Sequence, residues 1–461
     1  MVNLRGVIKR LPYKIKLPLL YTASLIPQNL RQGKEYKEYA SFLAGSDSWD
    51  SKKIVEFQNL QLRLLIKHAY ENVPFYTEVF HDYGIKSEDI KDIRDLKRLP
   101  LINKEIVKLN RDKFIAKNFS KNDLKPTHTG GTTSSPMHFF NTDTTNNREI
   151  AFFNRIWNKY GYTNQVCLVL RGAAGKEDEL YRYDPYQRRI AINTRNLDDS
   201  KMEGILKVIE KFNPQYLQAY PSLVYLFARY INDKGISGKV GNFNAIFCSS
   251  ERMYDFQRKE IKRAFNTDVI DYYGHNEGLT LMEYCPQCNL YHVIPEYGIT
   301  EFVDSNDVLV SGKGEIAEIV GTGFNNYAFP LIRYKTSDMA TISGTEFKGI
   351  CGKPYLSVQE IDGRSGDFLI TKSGKCYSPT VLEFAMDYVE NFKDLQLIQS
   401  SYDKVEVLIV PTEGYTIKEG NQFINELAKI IDDKINIDIK IVGKINRPSN
   451  QKHRFIISNI K

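Results

Sequence analysis

A short segment rich in glycine and hydroxyl side chains is a candidate anion-binding loop. It reads Thr129-Gly130-Gly131-Thr132-Thr133-Ser134-Ser135-Pro136. Glycines let backbone amides approach a phosphate closely, and hydroxyl groups add further hydrogen-bond donors. No lysine follows the glycines, so the segment is not the lysine-containing loop of the P-loop nucleotide-binding proteins. The composition favours phosphate binding, with an ordinary glycine-rich turn as the alternative.

Four further polar segments follow in chain order, each with charged or aromatic side chains. They are Tyr272-Tyr273-Gly274-His275-Asn276-Glu277, Arg333-Tyr334-Lys335-Thr336-Ser337-Asp338, Gly363-Arg364 with Asp367, and Gln451-Lys452-His453-Arg454. A single Asp or Lys in such a turn is normally a solvated surface residue. The ordered set of segments is what argues for a common site.

The five segments resemble, in residue type and in order, the signatures of the adenylate-forming superfamily. This superfamily includes acyl-CoA synthetases, relatives of firefly luciferase and the adenylation domains of peptide synthetases. Two N-terminal segments are similar to the phenylacetate–CoA ligase branch, including its relatives linked to capsular polysaccharide synthesis. They are His68-Ala69-Tyr70-Glu71-Asn72-Val73-Pro74-Phe75-Tyr76 and Leu99-Pro100-Leu101-Ile102-Asn103-Lys104. The likeness therefore spans nearly the whole chain.

The resemblance implies a role for each segment in activating a carboxylic acid with ATP. Glu277 would hold Mg²⁺, a hard ion that prefers oxygen ligands, and Asp338 would accept hydrogen bonds from both ribose hydroxyls. Lys452 would bring a point charge to the carboxylate and the α-phosphate. The implied catalytic residues are Lys452, Glu277 and Thr132. The implied nucleotide-binding residues are Thr129, Gly130, Gly131, Thr132, Thr133, Ser134, Glu251, Tyr272, Tyr273, Gly274, Asp338 and Arg364.

The implied reaction forms an acyl-adenylate with release of pyrophosphate, and then transfers the acyl group. The acceptor would be CoA or an amine such as an amino sugar, with surface polysaccharide synthesis as a setting. Ser134 and Gln451 stand where the family has glycine, which restricts the backbone. A catalytically weakened homologue that binds nucleotide or acts as a scaffold is therefore the alternative.

A cysteine pair offers a second kind of chemistry. Cys285 and Cys288 form a C-x-x-C, and His292 follows four residues later, which is close spacing for a structural zinc half-site. The phenylacetate–CoA ligase branch often carries a Cys-x-Cys-Gly segment downstream, and here Cys351-Gly352 keeps its second cysteine. Cys285, Cys288, His292 and Cys351 would complete a tetrahedral set. The alternatives are a surface hairpin with two reduced thiols, and a zinc-containing interaction protein that only echoes the motifs.

Helices and strands alternate through the middle of the chain, which predicts an α/β fold with buried, largely parallel strands. The residues expected to do chemistry follow these strands. Predicted helices cover 54–76, 148–160, 201–211, 222–232 and 252–265, and predicted strands cover 166–170, 216–220, 245–248 and 269–273. Short strands at 299–303, 308–310, 315–320 and 331–334 predict a β subdomain over about 293–362.

A small α+β unit is predicted for the C-terminal part of the chain. Its predicted helices cover 379–389 and 418–434, and its predicted strands cover 395–399, 404–410 and 438–442. We therefore expect an adenylation domain over 1–367 and a mobile lid domain over 368–461, with the turn at Gly363 to Asp367 as the linker.

The bulk composition bounds the remaining function classes. The 461 residues are 42% hydrophobic and 26% charged, which is typical of a globular protein of more than one domain. The net charge of +7 is spread evenly, so no nucleic-acid-binding surface is expected. No apolar run predicts a transmembrane helix, although basic and apolar residues interleave at the N-terminus and leave a weak membrane-surface contact open. The few cysteines favour the cytoplasm, and the oligomeric state, a dimer included, stays open.

Overall fold

The structure is a computed structural model. It describes residues 13–24, 26, 31–129, 137–171, 179–194, 197–344, 351–364, 369–372, 376–377, 385, 391–431, 435–446 and 454–460. Every described helix is too short or too polar to cross a membrane.

The N-terminal part is helical. Its α-helices are α1 (Tyr13–Ser24), α2 (Gly33–Ser46), α3 (Ser51–Asn72), α4 (Pro74–Asp82) and α5 (Lys104–Leu109), with 3-10 turns at Ser87–Asp89, Ile93–Arg98 and Arg111–Phe114. The Asp50 side chain caps α3 by accepting a hydrogen bond from the Lys53 amide. Helix α3 ends at Asn72, inside the predicted helix 54–76, and Pro74 starts α4 at a position where its missing amide costs nothing.

One long sheet forms the centre of the molecule. Its strands are β3 (Cys167–Leu170), β4 (Tyr181–Asp184), β5 (Arg189–Ile192), β6 (Tyr216–Ala219), β7 (Ala245–Ser249), β8 (Asp268–Gly274), β9 (Leu281–Cys285), β10 (Leu290–Val293), β11 (Gly298–Val303), β12 (Ile316–Gly323), β13 (Tyr334–Ile342) and β14 (Ser357–Arg364). The order is β11-β12-β13-β14-β10-β9-β8-β7-β6-β3-β5-β4. Strands β5, β3, β6, β7 and β8 are parallel neighbours, and the pairs outside this block are antiparallel.

Helices cover both faces of the parallel block. Successive side chains of a strand point to opposite faces, so Leu217 and Ile246 pack in one core while Tyr216 and Phe247 pack in another. The first core holds α7 (Asp199–Phe212), α8 (Pro221–Asp233) and α9 (Asp255–Phe265), and the second holds α2 and α6 (Asp143–Asn158). The predicted α/β class is confirmed by this arrangement.

The antiparallel part of the sheet departs from the sequence prediction. Residues 331–334 were predicted as a strand, but Leu331 and Ile332 pack among the N-terminal helices and β13 begins only at Tyr334. The prediction was wrong because buried apolar residues before a strand look like the strand itself. Residues 308–310 form only an isolated bridge between Val303 and Leu309. Strands β9, β10 and β14 had no counterpart in the prediction.

Two hairpins and a small sheet lie outside the long central sheet. Strands β1 (Lys125–His128) and β2 (His138–Asn141) form one antiparallel pair, and β15 (Leu369–Ile370) with β16 (Cys376–Tyr377) forms another. The small sheet has the order β19-β18-β17-β20 and carries α10 (Ile417–Ile430). Its strands are β17 (Phe392–Ser401), β18 (Lys404–Pro411), β19 (Asn436–Ile441) and β20 (Ile456–Ser458). The predicted helix at 379–389 lies almost wholly outside the described residues.

The small sheet contacts the larger part of the chain through aromatic rings. The Tyr254 and Phe455 ring centroids lie 5.2 Å apart, and the Arg229 guanidinium lies 5.5 Å from the Phe392 centroid. These contacts place the start of β20 beside the carboxyl edge of the parallel strands.

Candidate functional site

A cavity of about 230 Å³ lies at the carboxyl edge of the parallel strands. Strand β7 leads into it with Ser250 and Glu251, and β8 leads into it with His275, Asn276 and Glu277. Ligands of open α/β sheets bind outside the carboxyl ends of the strands, where backbone and side chains converge. The cavity is therefore placed where this fold binds small molecules.

The described residues that the sequence assigns to nucleotide binding and catalysis all line this one cavity. They are Thr129, Glu251, Tyr272, Tyr273, Gly274, Glu277, Asp338 and Arg364. The assigned residues Gly130, Gly131, Thr132, Thr133, Ser134 and Lys452, together with Asp367 of the linker, lie outside the described residues.

The two described residues that flank the glycine-rich segment are held together at the cavity. The Met137 amide donates to Thr129 Oγ1 over 3.1 Å, and the Thr129 amide donates to the Met137 carbonyl over 3.0 Å. The β1–β2 ladder continues this pairing, and Asn276 Nδ2 donates to the His128 carbonyl over 3.0 Å. The hairpin therefore fixes Thr129 beside the end of β8.

Asp338 lies between two partners inside the cavity. The Tyr273 hydroxyl donates to Asp338 Oδ2 over 2.9 Å, and Arg364 Nε lies 3.6 Å from Asp338 Oδ1. Asp338 and Arg364 face each other across β13 and β14, so Arg364 belongs to a strand and not to the predicted turn. Burial, followed by the charge of Asp338, raises the pKa of Tyr273, so this tyrosine remains a hydrogen-bond donor. The Asp338 carboxylate, oriented by these two side chains, can accept hydrogen bonds from hydroxyl groups.

Ser337, just before Asp338, has a left-handed backbone. Its φ is +63°, and its amide donates to Glu318 Oε1 over 2.9 Å. A side chain in this conformation costs about 1–2 kcal/mol, a penalty that glycine does not carry. The bend directs Asp338 towards the cavity.

We expect Ser337→Gly to stabilise the protein by about 1 kcal/mol, since it removes the Cβ penalty at the bend. Urea unfolding of the two proteins measures the difference. Ser337→Ala is the matched control, because Ser337 is exposed and alanine keeps the Cβ, so its unfolding free energy should match that of the wild type. A glycine variant no more stable than the alanine variant contradicts the prediction.

His275 and Glu277 form a buried pair at the end of β8. His275 Nδ1 lies 3.3 Å from Glu277 Oε2, and each side chain is only 12% exposed. Burial opposes charge on both groups, but their hydrogen bond and mutual attraction outweigh it. They lower the pKa of Glu277 and raise the pKa of His275. Glu277 is thus an anionic carboxylate at the cavity wall, suited to a hard cation.

Arg252 and Glu251 brace the loop after β7. Glu251 Oε2 accepts a hydrogen bond from the Ser222 amide over 3.0 Å, at the start of α8. Arg252 NH1 lies 3.2 Å from Asp362 Oδ1 on β14, and both side chains are buried. Arg252 was missed by the sequence analysis, because its partner is distant in the chain and no local pattern links them.

The small sheet contributes Arg454, Phe455 and Ile456 to the same cavity. Gln396 Nε2 donates to the Arg454 carbonyl and the Leu397 amide donates to the Phe455 carbonyl, each over 2.8 Å. Strand β17 therefore holds the start of β20 against the site. Arg454 is two residues after Lys452 in the chain.

Four potential metal ligands meet at the tip of the β9–β10 hairpin. The ligand atoms of Cys285, Cys288, His292 and Cys351 all lie within 4.8 Å of one another. His292 Nε2 is 3.2 Å from both Cys288 Sγ and Cys351 Sγ, and these two sulfurs are 3.9 Å apart. Tetrahedral zinc with ordinary bond lengths separates its ligand atoms by roughly 3.6–3.8 Å. The donor set and its spacing therefore fit a structural zinc ion.

Comparisons with known proteins find one matching family model and several relatives. Residues 369–459 match the family described as the CapK C-terminal domain. The chain is 26% identical over 419 residues to Protein CapK of Staphylococcus aureus, covering 88% of this chain and 90% of that protein. It is 23% identical over 411 residues to the phenylacetate-coenzyme A ligase of Pseudomonas putida, covering 83% of this chain and 88% of that protein.

A solved structure shares the fold. The crystal structure of 2-hydroxyisobutyryl-CoA ligase in the postadenylation state, in complex with R3-HIB-AMP, matches with a TM-score of 0.70 at 15% identity. The match covers 89% of this chain and 91% of that one. The resemblance that the sequence predicts, to adenylate-forming ligases of the phenylacetate–CoA ligase branch and to a capsule-linked relative, is confirmed.

Proposed function

We propose that this chain is an ATP-dependent ligase that converts a carboxylic acid into an acyl-adenylate and then transfers the acyl group. The observation that carries the proposal is the cavity, where eight separately assigned residues meet. Similarity to a phenylacetate-coenzyme A ligase and to a CoA ligase solved in the postadenylation state with R3-HIB-AMP supports the same reaction.

In the first step, the acid carboxylate attacks the α-phosphate of ATP and pyrophosphate leaves. Such a reaction depends mainly on positioning the reactants and on neutralising phosphate charge. Asp338, held by Tyr273 and Arg364, would bind the ribose hydroxyls. Glu277 would hold Mg²⁺, which would neutralise charge on the phosphate oxygens when bound.

The lid assignment belongs to this proposal. Residues 1–367 would form the adenylation domain, with 293–362 as its β part, and residues 368–461 would form a lid that moves between the two steps. A lid that completes a site and then reopens is a common way to order consecutive reactions. Arg454 at the cavity supports placing Lys452 near the reacting atoms.

The acyl acceptor is proposed to be CoA, with an amine such as an amino sugar as the second candidate. The names of the phenylacetate-coenzyme A ligases support CoA. Similarity to Protein CapK supports a role in surface polysaccharide synthesis, where an amide to an amino sugar would serve.

Carboxylate-dependent exchange of labelled pyrophosphate into ATP tests the first step. We expect exchange only in the presence of a suitable acid and Mg²⁺. If no acid in a broad panel supports exchange, and calorimetry detects no ATP binding, the proposed ligase function is overturned and the scaffold alternative is favoured. Adding CoA or an amino sugar to the acid that supports exchange then identifies the acceptor.

We also propose that Cys285, Cys288, His292 and Cys351 hold a structural Zn²⁺ ion. The spacing of the four ligand atoms supports this role. Four protein ligands leave no open position, so the ion would tie Cys351 to the β9–β10 hairpin and not react.

The zinc proposal predicts about one zinc per chain in purified protein and almost none in Cys288→Ser, since losing one of four ligands opens the site. Metal analysis by mass spectrometry makes the measurement. Cys167→Ala, a cysteine buried outside the cluster, is the control and should keep its zinc. A wild-type protein purified without zinc that fails to take it up shows that the thiols only line a hairpin.

A further inference from the structure

Glu149, His275 and Asn325 form a group of polar side chains, here called the polar recess, on the side of the sheet covered by α2 and α6. Glu149 lies on α6, and the Tyr297 hydroxyl donates to Glu149 Oε2 over 2.6 Å. Within the part of the chain that the structure describes, no lysine or arginine forms an ion pair with Glu149. Glu149 is half-buried.

Two buried nitrogen atoms in the polar recess lack a hydrogen-bond partner among the described residues. They are His275 Nε2 and Asn325 Nδ2. Asn325 is only 4% exposed, and its Oδ1 accepts a hydrogen bond from the Tyr39 hydroxyl over 3.3 Å. Buried polar atoms are normally satisfied, so two orphaned nitrogens in one region indicate a place for a ligand.

Contacts link these groups to one another. Thr145 Oγ1 donates to the Asn325 carbonyl over 3.3 Å, and Thr145 lies one helical turn before Glu149 on the same face of α6. The charges of His275 and Glu149 act on each other, as do those of Glu149 and Tyr39. The recess is therefore bounded by an acceptor carboxylate, an amide donor and an imidazole nitrogen.

His275 joins the recess to the nucleotide cavity. Its ring lines that cavity, with Nδ1 turned towards Glu277 and Nε2 at the far edge of the ring. An acid whose carboxylate reaches the nucleotide would extend its chain past His275.

A carboxylate without a cation is costly to bury, and a ligand that donates a hydrogen bond relieves that cost. We propose that Glu149 recognises the acid substrate, and that this acid carries a hydrogen-bond-donating substituent, an amino or hydroxyl group. The inference rests on the proposed ligase function and names the substrate class of that same site. Burial raises the pKa of Glu149 to about 7, although the Tyr297 hydrogen bond and the charge of His275 both act to lower it.

Pyrophosphate exchange with matched acids tests the assignment. The probes form two matched sets. One set is butanoate, 3-hydroxybutanoate and 3-aminobutanoate, and the other is propanoate, lactate and alanine. We expect the wild type to prefer an acid with a hydroxyl or amino substituent over the unsubstituted acid of the same set. The expected difference in kcat/KM is about 10-fold or more, the effect of one buried hydrogen bond. The hydroxyl and amino members of each set distinguish the two donors.

Glu149→Leu should abolish this preference, because it removes the acceptor. Glu149→Gln retains the size of the side chain and keeps a neutral acceptor, so it should retain preference for a hydroxyl and lose preference for an ammonium group. Asn146→Ala, an exposed position on the same helix, is the control and should leave the ratio unchanged.

The outcomes separate the two levels of the proposal. Exchange with unchanged selectivity in both Glu149 variants overturns the role of Glu149 and leaves the ligase function standing, as does a wild-type preference for the apolar acids. If none of the acids supports exchange, the ligase function is overturned, and this inference falls with it. If Glu149→Leu fails to fold, as judged by thermal unfolding, the selectivity of Glu149→Gln decides.

Discussion

Asp338→Ala is expected to weaken ATP binding by about 100-fold or more, because each hydrogen bond to a charged group contributes roughly 1.5–3 kcal/mol and two are lost. The carboxylate is already oriented, since Tyr273 donates to one of its oxygens and Arg364 lies near the other. Removing it leaves the nucleotide ribose without its acceptor. Calorimetric titration with ATP measures the loss.

Three variants separate ribose binding from a general structural effect. Asp338→Asn keeps an acceptor oxygen and should lose less affinity than alanine. Tyr273→Phe should lose least, because the carboxylate remains and only its orientation relaxes. Asp307→Ala removes another carboxylate, one that pairs with Lys335 outside the cavity, and should leave ATP affinity unchanged. Equal affinity in Asp338→Ala and the wild type would remove the ribose-binding role from Asp338.

The residues around Asp338 show what a sequence can and cannot reveal. Short chemical motifs such as those at Tyr273 and Asp338 are local, so they could be predicted from residue type and order alone. Asp338 and Arg364 are cross-strand neighbours because of the register between β13 and β14. Register arises from the packing of whole strands, and Arg364 was accordingly predicted to lie in a turn.

The polar recess at Glu149 marks the limit more clearly. Glu149, His275 and Asn325 come from three segments far apart in the chain, and each looks ordinary in its local sequence. Glu149 sits in a helix with a polar sequence, where a carboxylate normally faces solvent. Only the packing of α6 against the Tyr297 segment turns it inwards. Substrate pockets are built in this way, so the fold was predictable and the substrate class was not.

The cysteine cluster combines a local motif with one residue that is distant in the chain. The C-x-x-C with His292 is local and could be found from spacing. Cys351 is 63 residues from Cys288 in sequence, yet their sulfurs are 3.9 Å apart. It was assigned only through the resemblance to the phenylacetate–CoA ligase branch. A contact between residues far apart in the chain is predictable where a family pattern marks both of them, whereas no such pattern marked Glu149.

Lys452→Ala is expected to slow acyl-adenylate formation by about 100- to 1,000-fold, the usual effect of removing one group that stabilises charge in a transition state. Lys452 lies outside the described residues, but Arg454, two residues later, lines the cavity and is held there by Gln396. A lysine delivered by the lid would act on the carboxylate and the α-phosphate as they react. Because that charge matters most in the transition state, ATP affinity should change little.

Separate assays of the two half-reactions make this prediction specific. Pyrophosphate exchange should fall in Lys452→Ala, while transfer from added acyl-adenylate to the acceptor should continue at the wild-type rate, since the proposed role of the lysine is confined to the first step. Lys440→Ala, which removes an exposed lysine from β19 of the same small sheet, should leave both rates unchanged. An unchanged exchange rate in Lys452→Ala would show that the lid carries no catalytic lysine at this position. Equal slowing of both half-reactions would instead show that the substitution disturbs docking of the lid, because a group used only in the adenylation step cannot affect the transfer that follows.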